Sequence, residues 1–194
     1  MKQLFTLVLL SIVLSGCSTI MTGFAEITGL SFLHDRRTSA MLLKDERIEI
    51  NASIELNSHD DTRSKCHFNV TAYNGTTLVT GEAPTEALRN KIVSIVRSIK
   101  GVKLVHNELK VAEPSSFSSR THDSLLTTKI KSSLSNVKNL PGFDSTRVKV
   151  ITERGIVYLL GLVHKQEANV ATEIARREIG VKQVVKIFEF IEYQ

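Results

Sequence analysis

The sequence predicts an α+β protein: two tandem copies of a small αββαβ unit, each with a mixed three-stranded sheet and two helices, behind an N-terminal leader. Three observations carry this. An internal repeat runs through the chain at an offset of 80 residues. Each copy contains a hairpin signal followed by apolar residues at helical spacing. The chain opens with an apolar run too short to cross a bilayer. With 194 residues, 42% of them apolar, there is material for one large core or two small ones.

The leader comes first. Lys2 gives a positive start, Leu4 to Leu14 is apolar, and Leu14-Ser15-Gly16-Cys17 brings small residues up to a cysteine. An eleven-residue helix rises only about 16 Å, half a bilayer core. The pattern resembles the bacterial lipobox, which implies a signal peptide over residues 1–16, cleavage before Cys17 and acylation of that cysteine. Residues 17–43 then read as a lipidated tether. As a flexible coil it would span on the order of 30 Å; Ile20, Phe24, Ile27, Leu30, Phe32 and Leu33 make it unusually apolar, and the alternatives are that part of it lies at the membrane interface or docks on a domain.

The first unit spans 44–112. A helical stretch over about Lys44 to Leu56 precedes a strand from Phe68 to Tyr73, and Asn74-Gly75 is a strong two-residue hairpin turn because both positions must tolerate positive φ. After the second strand, Pro84-Thr85 suit a helix start, and Leu88, Ile92, Ile95, Val96 and Ile99 recur at helical spacing. Gly101 ends that helix and a last strand follows through Val111. Residues 113–120, Pro- and Ser-rich, read as a linker between independently folding units. The second unit, 121–194, repeats the order: a helix over about Ser124 to Val137, a strand from Val148 to Thr152, a turn at Arg154-Gly155, an apolar strand, a helix through Ala168 to Ile179, and a strand from Val181. Val70, Gly75, Val79 and Gly81 stand opposite Val150, Gly155, Leu159 and Gly161, and Gly101-Val102 aligns with Gly180-Val181.

Asn69-Val70-Thr71-Ala72-Tyr73 with Gly75, Asn107-Glu108, Thr127-Thr128-Lys129 and Gly161-Leu162-Val163, set in this element order, resemble the BON domain of bacterial envelope proteins. Two such domains behind a lipobox resemble the dual-BON outer-membrane lipoproteins, over nearly the whole chain. The resemblance implies two tandem BON domains in a lipid-anchored, periplasm-facing protein of the outer membrane, with Ser18 after the lipidated cysteine compatible with outer-membrane sorting.

Little catalytic chemistry is available. The six histidines form no i, i+4 pair, and no nucleophile elbow, phosphate loop or dinucleotide fingerprint occurs. The sequence gives no catalytic residue, metal ligand set or cofactor. Asp60-Asp61 reads as a solvated turn, and Cys66 as a half-buried thiol at a strand edge, with intermolecular pairing the other possibility. A net charge of +5 is far from the dense basic clustering of a nucleic-acid binder.

Charge distribution is more informative. Residues 45–111 hold nine basic and nine acidic side chains, whereas 121–194 hold eleven and eight. Residues 124–143 contain Lys129, Lys131 and Lys138 and no acid. In that helix Leu126, Ile130, Leu134 and Val137 form the core stripe and Leu125 falls outside it, on the side of Lys129 and Ser132. By sequence alone, a scattered surface leucine among solvated lysines is the simpler reading. The family resemblance implies that the first helix of the second domain contacts anionic phospholipid, with tryptophan found in relatives at the Leu125 position; the candidate lipid-binding residues are Leu125, Lys129, Lys131 and Ser132. The expectation is an outer-membrane lipoprotein that binds anionic phospholipid and helps maintain the envelope. The rival is a periplasmic adaptor for outer-membrane assembly or cell-division proteins.

Overall fold

The structure, a computed structural model, describes residues 35–192. The signal peptide, Cys17 and the apolar part of the tether lie outside the described residues.

Two helices precede the first sheet. α1 (Ser39–Ser58) starts earlier than the apolar spacing suggested, because Thr38 caps it, its hydroxyl accepting from the Met41 N–H at 3.2 Å. Ile48, Ala52 and Leu56 line its buried stripe. A short α2 (Asp60–Lys65) replaces the expected turn at Asp60-Asp61. Asp61 there accepts from Lys91 Nζ at 2.7 and 2.9 Å, and that bond holds its carboxyl below the ordinary range. Cys66 follows, half-buried against the first core, and burial pushes its thiol up.

β1 (His67–Tyr73) and β2 (Thr76–Ala83) pair antiparallel across a turn in which Asn74 and Gly75 have φ of 52° and 81°. α3 (Glu86–Ser98), capped by Thr85, carries the chain over to β3 (Leu104–Val111), which runs parallel to β2. The glycine that recurs in each second strand marks a close backbone approach. A Cβ on Gly81 would stand 2.1 Å from the His67 carbonyl, and one on Gly161 2.5 Å from that of Arg147.

The second copy repeats the design. α4 (Phe117–Ser135) leads, β4 (Lys149–Glu153) and β5 (Ile156–Val163) form the hairpin, and α5 (Lys165–Arg177) crosses to β6 (Gln183–Phe190), parallel to β5. α4 begins at Phe117, not near Ser124. Ser116 is its N-cap, so residues 117–120 of the expected linker are helical.

Each sheet has its helices on one face. Val79, Ile92 and Val96 centre one core, and Leu126, Ile130 and Leu159 the other. The opposite faces were expected to belong to separate domains. Instead Tyr73 and Leu78 of the first sheet bury against Tyr158, Leu160 and Ile187 of the second. The two units are therefore packed through their helix-free sheet faces, and from Arg36 onward the chain is one compact unit.

Polar contacts fix that packing. The Leu162 N–H donates to the Tyr73 hydroxyl at 3.1 Å, and Asn74 Nδ2 donates to Glu189 at 2.5 Å. The end of the expected tether joins in. Arg36 donates to both oxygens of Glu167 at 2.5 and 3.0 Å, and to the Leu162 carbonyl. Arg37 pairs with Asp45 at 2.8 Å and lies over the Tyr73 ring, 3.8 Å from its centre.

Candidate functional site

The buried stripe of α4 begins with a charge. Asp123 is buried three residues before Leu126, and its two oxygens accept the N–H groups of Arg154 and Gly155, each at 2.8 Å. Those two residues are the turn between β4 and β5, with φ of 54° and 76°. An arginine in the left-handed region is uncommon, and the carboxylate clamp holds it there. Asp45 of α1 grips Asn74 and Gly75 in the same way at 2.7 and 2.8 Å. The sequence reading passed over both aspartates. The signal was available: Asp45, Ile48, Ala52 and Leu56 repeat as Asp123, Leu126, Ile130 and Leu134.

With the buried stripe fixed, the outer face of α4 follows at 100° per residue. Phe117, Thr121, Leu125, Thr128 and Ser132 lie within about 40° of the direction opposite the core. Leu125 is 58% exposed and Phe117 78%. Lys129 and Lys131, both exposed, flank this stripe on either side, each about 80° from its centre. Leu125, Lys129 and Ser132 are therefore neighbours, while Lys131 stands on the far flank. Phe117 extends the stripe by an aromatic residue two turns earlier, within the segment expected as linker. Lys131 also lines a groove of about 380 Å³ between α4, β1 and β4, together with Arg120, Thr127, Asn69 and Glu153.

The matching face of α1 differs in chemistry. Leu43, Ile50 and Ile54, exposed, occupy the positions of Thr121, Thr128 and Ser132, while the exposed Arg47 takes the position of Leu125, so a cation interrupts the apolar residues of this stripe. Its flanks carry Glu46 and Ser53 on one side and Asn51 with the exposed Lys44 on the other. Among the described residues, no helix is long and apolar enough to cross a membrane.

The BON domain family model matches residues 44–113 and 122–191. The chain is 32% identical to the outer membrane lipoprotein DolP of Haemophilus influenzae over 99% of its own length and 97% of that protein's. It is 33% identical to a 21 kDa hemolysin of Actinobacillus pleuropneumoniae, covering 81% of this chain and 80% of that one. Among solved structures, the C-terminal domain of CdsD, a structural protein of the type III secretion system of Chlamydia trachomatis, aligns over 76% of this chain and 67% of its own at 13% identity, with a TM-score of 0.30.

Proposed function

The chain belongs to the BON-domain family, with two such domains in tandem, and from that premise we propose that it is an outer-membrane lipoprotein anchored through Cys17 whose second domain contacts anionic phospholipid through the outer face of α4. It acts by binding, without catalysis, and helps maintain the envelope. The observation that carries the reading is the exposed pair Phe117 and Leu125 on a helix face flanked by Lys129 and Lys131, in a stretch without acids from Ser124 to Phe143.

The magnitudes suit an anchored protein. Inserting two partly exposed apolar side chains at the headgroup boundary contributes about 1–2 kcal/mol each. Each lysine adds about 1 kcal/mol at an anionic surface. The gross sum, about 5 kcal/mol, corresponds to a dissociation constant of about 0.2 mM. Such a contact is effective when a lipid anchor already holds the protein at the membrane and raises its local concentration.

Co-sedimentation of a fragment beginning at Asp35 tests the reading. The fragment binds vesicles containing phosphatidylglycerol, fails to bind pure phosphatidylcholine, and loses binding on Leu125→Glu while staying folded. Unchanged binding by a folded Leu125→Glu protein would refute the α4 assignment. The exposed Leu43, Ile50 and Ile54, set among both the cations Lys44 and Arg47 and the acid Glu46, favour a second role for the first domain as a docking face for an envelope protein.

A further inference from the structure

His67, Glu82 and Glu153 are distant in sequence and meet where the two domains join. His67 and Glu82 are cross-strand partners on β1 and β2, and their side chains point to the face shared with the second sheet. Glu153 is the last residue of β4. His67 Nδ1 lies 3.2 Å from Glu82 Oε2 and 3.9 Å from Glu153 Oε1. One ligand atom from each residue falls within 4.8 Å of the other two.

The charge around this cluster is incomplete. Glu82 is fully buried and Glu153 is 5% exposed. Arg154 donates to Glu82 Oε1 at 3.2 Å, and the Ser115 N–H donates to Oε2 at 3.1 Å. Among the described residues no lysine or arginine pairs with Glu153. Its hydrogen bond comes from the Asn69 amide at 3.3 Å, and burial, with the charges of Glu82 and Asp123, holds its carboxyl above the ordinary range against the opposing pull of His67. On the same face of β2, two residues from Glu82 and directly across from Asn69, the buried Thr80 hydroxyl has no hydrogen-bond partner among the described residues.

We infer that His67, Glu82 and Glu153 form a binding site for one divalent transition-metal ion of the zinc type, bridging the two domains. One imidazole nitrogen with two carboxylate oxygens is a donor set that suits zinc and its neighbours and disfavours magnesium or calcium. In a tetrahedral site with bonds of about 2.0 Å the ligands stand about 3.3 Å apart. The His67–Glu82 edge already has that length, and adjustment of the Glu153 rotamer closes the others. Three protein ligands leave one position open, and the groove of about 380 Å³ reaches both His67 and Glu153, giving the ion an entry and a water its place. Asn69 and Arg154 orient the carboxylates from behind. Because the ligands come from both repeats, the ion fastens the domains together. A search of spacing along one helix could not find it, since its members come from three strands.

The test is isothermal titration of the full chain, purified in detergent through a histidine-free tag and stripped with chelator. One equivalent of zinc binds and raises the unfolding temperature, and magnesium does neither. Glu153→Gln, which keeps the side-chain shape, and His67→Ala each weaken zinc binding by about tenfold or more, while His106→Ala, on the same sheet, leaves it unchanged. Circular dichroism establishes that the variants remain folded. Absence of stoichiometric zinc binding, equal binding by the folded Glu153→Gln protein, or magnesium binding as strong as zinc overturns the inference.

Discussion

Replacing Asp123 by alanine removes both acceptors that hold the β4–β5 turn. Each lost bond is short, at 2.8 Å, and charge-assisted, and the Gly155 N–H is buried. Hydrogen bonds to a charged group contribute about 1.5–3 kcal/mol each, and a buried donor left unsatisfied adds its own desolvation cost. Water reaches the partly buried Arg154 N–H, which lowers the total. The expected loss is about 3 kcal/mol, or about 6–12 °C in Tm for a unit of this size. Asp123→Asn keeps one acceptor and loses about half as much. Asp45→Ala loses more than Asp123→Ala, because Arg37 also gives up its partner at 2.8 Å. Urea unfolding followed by circular dichroism measures all three, with an unchanged slope expected against denaturant. A loss below about 0.5 kcal/mol for Asp123→Ala, the scale of ordinary surface substitutions, would show that the turn needs no clamp and that its positive φ values are held by pairing alone.

Three further outcomes follow from the geometry. Burial tends to raise the Glu167 carboxyl, but the Arg36 hydrogen bond, the His164 N–H and the charges of Arg36 and Arg147 outweigh it, so the carboxyl titrates below its ordinary 4.5. A depressed carboxyl stabilises the fold above that value and loses its contribution as pH falls through the folded pKa. Arg36→Ala therefore costs about 1–2 kcal/mol near neutrality and flattens the acid limb of stability below pH 4.5, as thermal melts at stepped pH would show. The second domain produced alone, from Phe117 onward, exposes Tyr158, Leu160 and Ile187, and it should melt below the intact unit and associate on size-exclusion chromatography; an unchanged Tm and a monomer would mean that the shared face is dispensable. Phe117→Ser halves the apolar content of the α4 stripe and should weaken vesicle binding by about tenfold, whereas Leu126→Glu unfolds the domain by burying a charge.

The repeat, the hairpins and the buried stripe of α4 were legible because each is a local pattern: an offset, a two-residue turn, a 3.6-residue period. The exposure of Leu125 came from that same period. The contact between the sheets was written more faintly. Ile156-Val157-Tyr158-Leu159-Leu160-Gly161-Leu162-Val163 has no polar alternation, the mark of a strand covered on both faces, and helices account for one face only. Phe117 was missed because Ser115, Ser116, Ser118 and Ser119 read equally as a linker and as a capped helix start; only the cap geometry at Ser116 decides. Arg36 with Glu167 and the cluster of His67, Glu82 and Glu153 join residues tens to more than a hundred positions apart, and no local pattern records them.

The docking of Arg36 also changes what the anchor can do. A tether free to residue 43 would let the domains range widely over the membrane, but the chain is fixed to the second domain at Arg36, nineteen residues after Cys17. Fully extended, that interval reaches at most about 65 Å. It is tied to the β5–α5 corner of the second domain, through the Leu162 carbonyl and Glu167, and that domain carries the α4 face. Arg36 thus couples the anchor to the domain proposed to meet lipid, and cutting the coupling separates two effects. Arg36→Ala in the anchored protein releases the chain from the second domain and leaves Arg37, paired with Asp45 of the first, as its nearest fixed point, so it should lower α4 occupancy at the membrane, read as greater solvent accessibility of a probe at Leu125→Cys, in a Cys66→Ser background, in phosphatidylglycerol vesicles. In the fragment beginning at Asp35 the same substitution should leave vesicle affinity unchanged, because no anchor is present to be coupled. An equal effect in both forms would place Arg36 in the lipid contact itself and remove the coupling role.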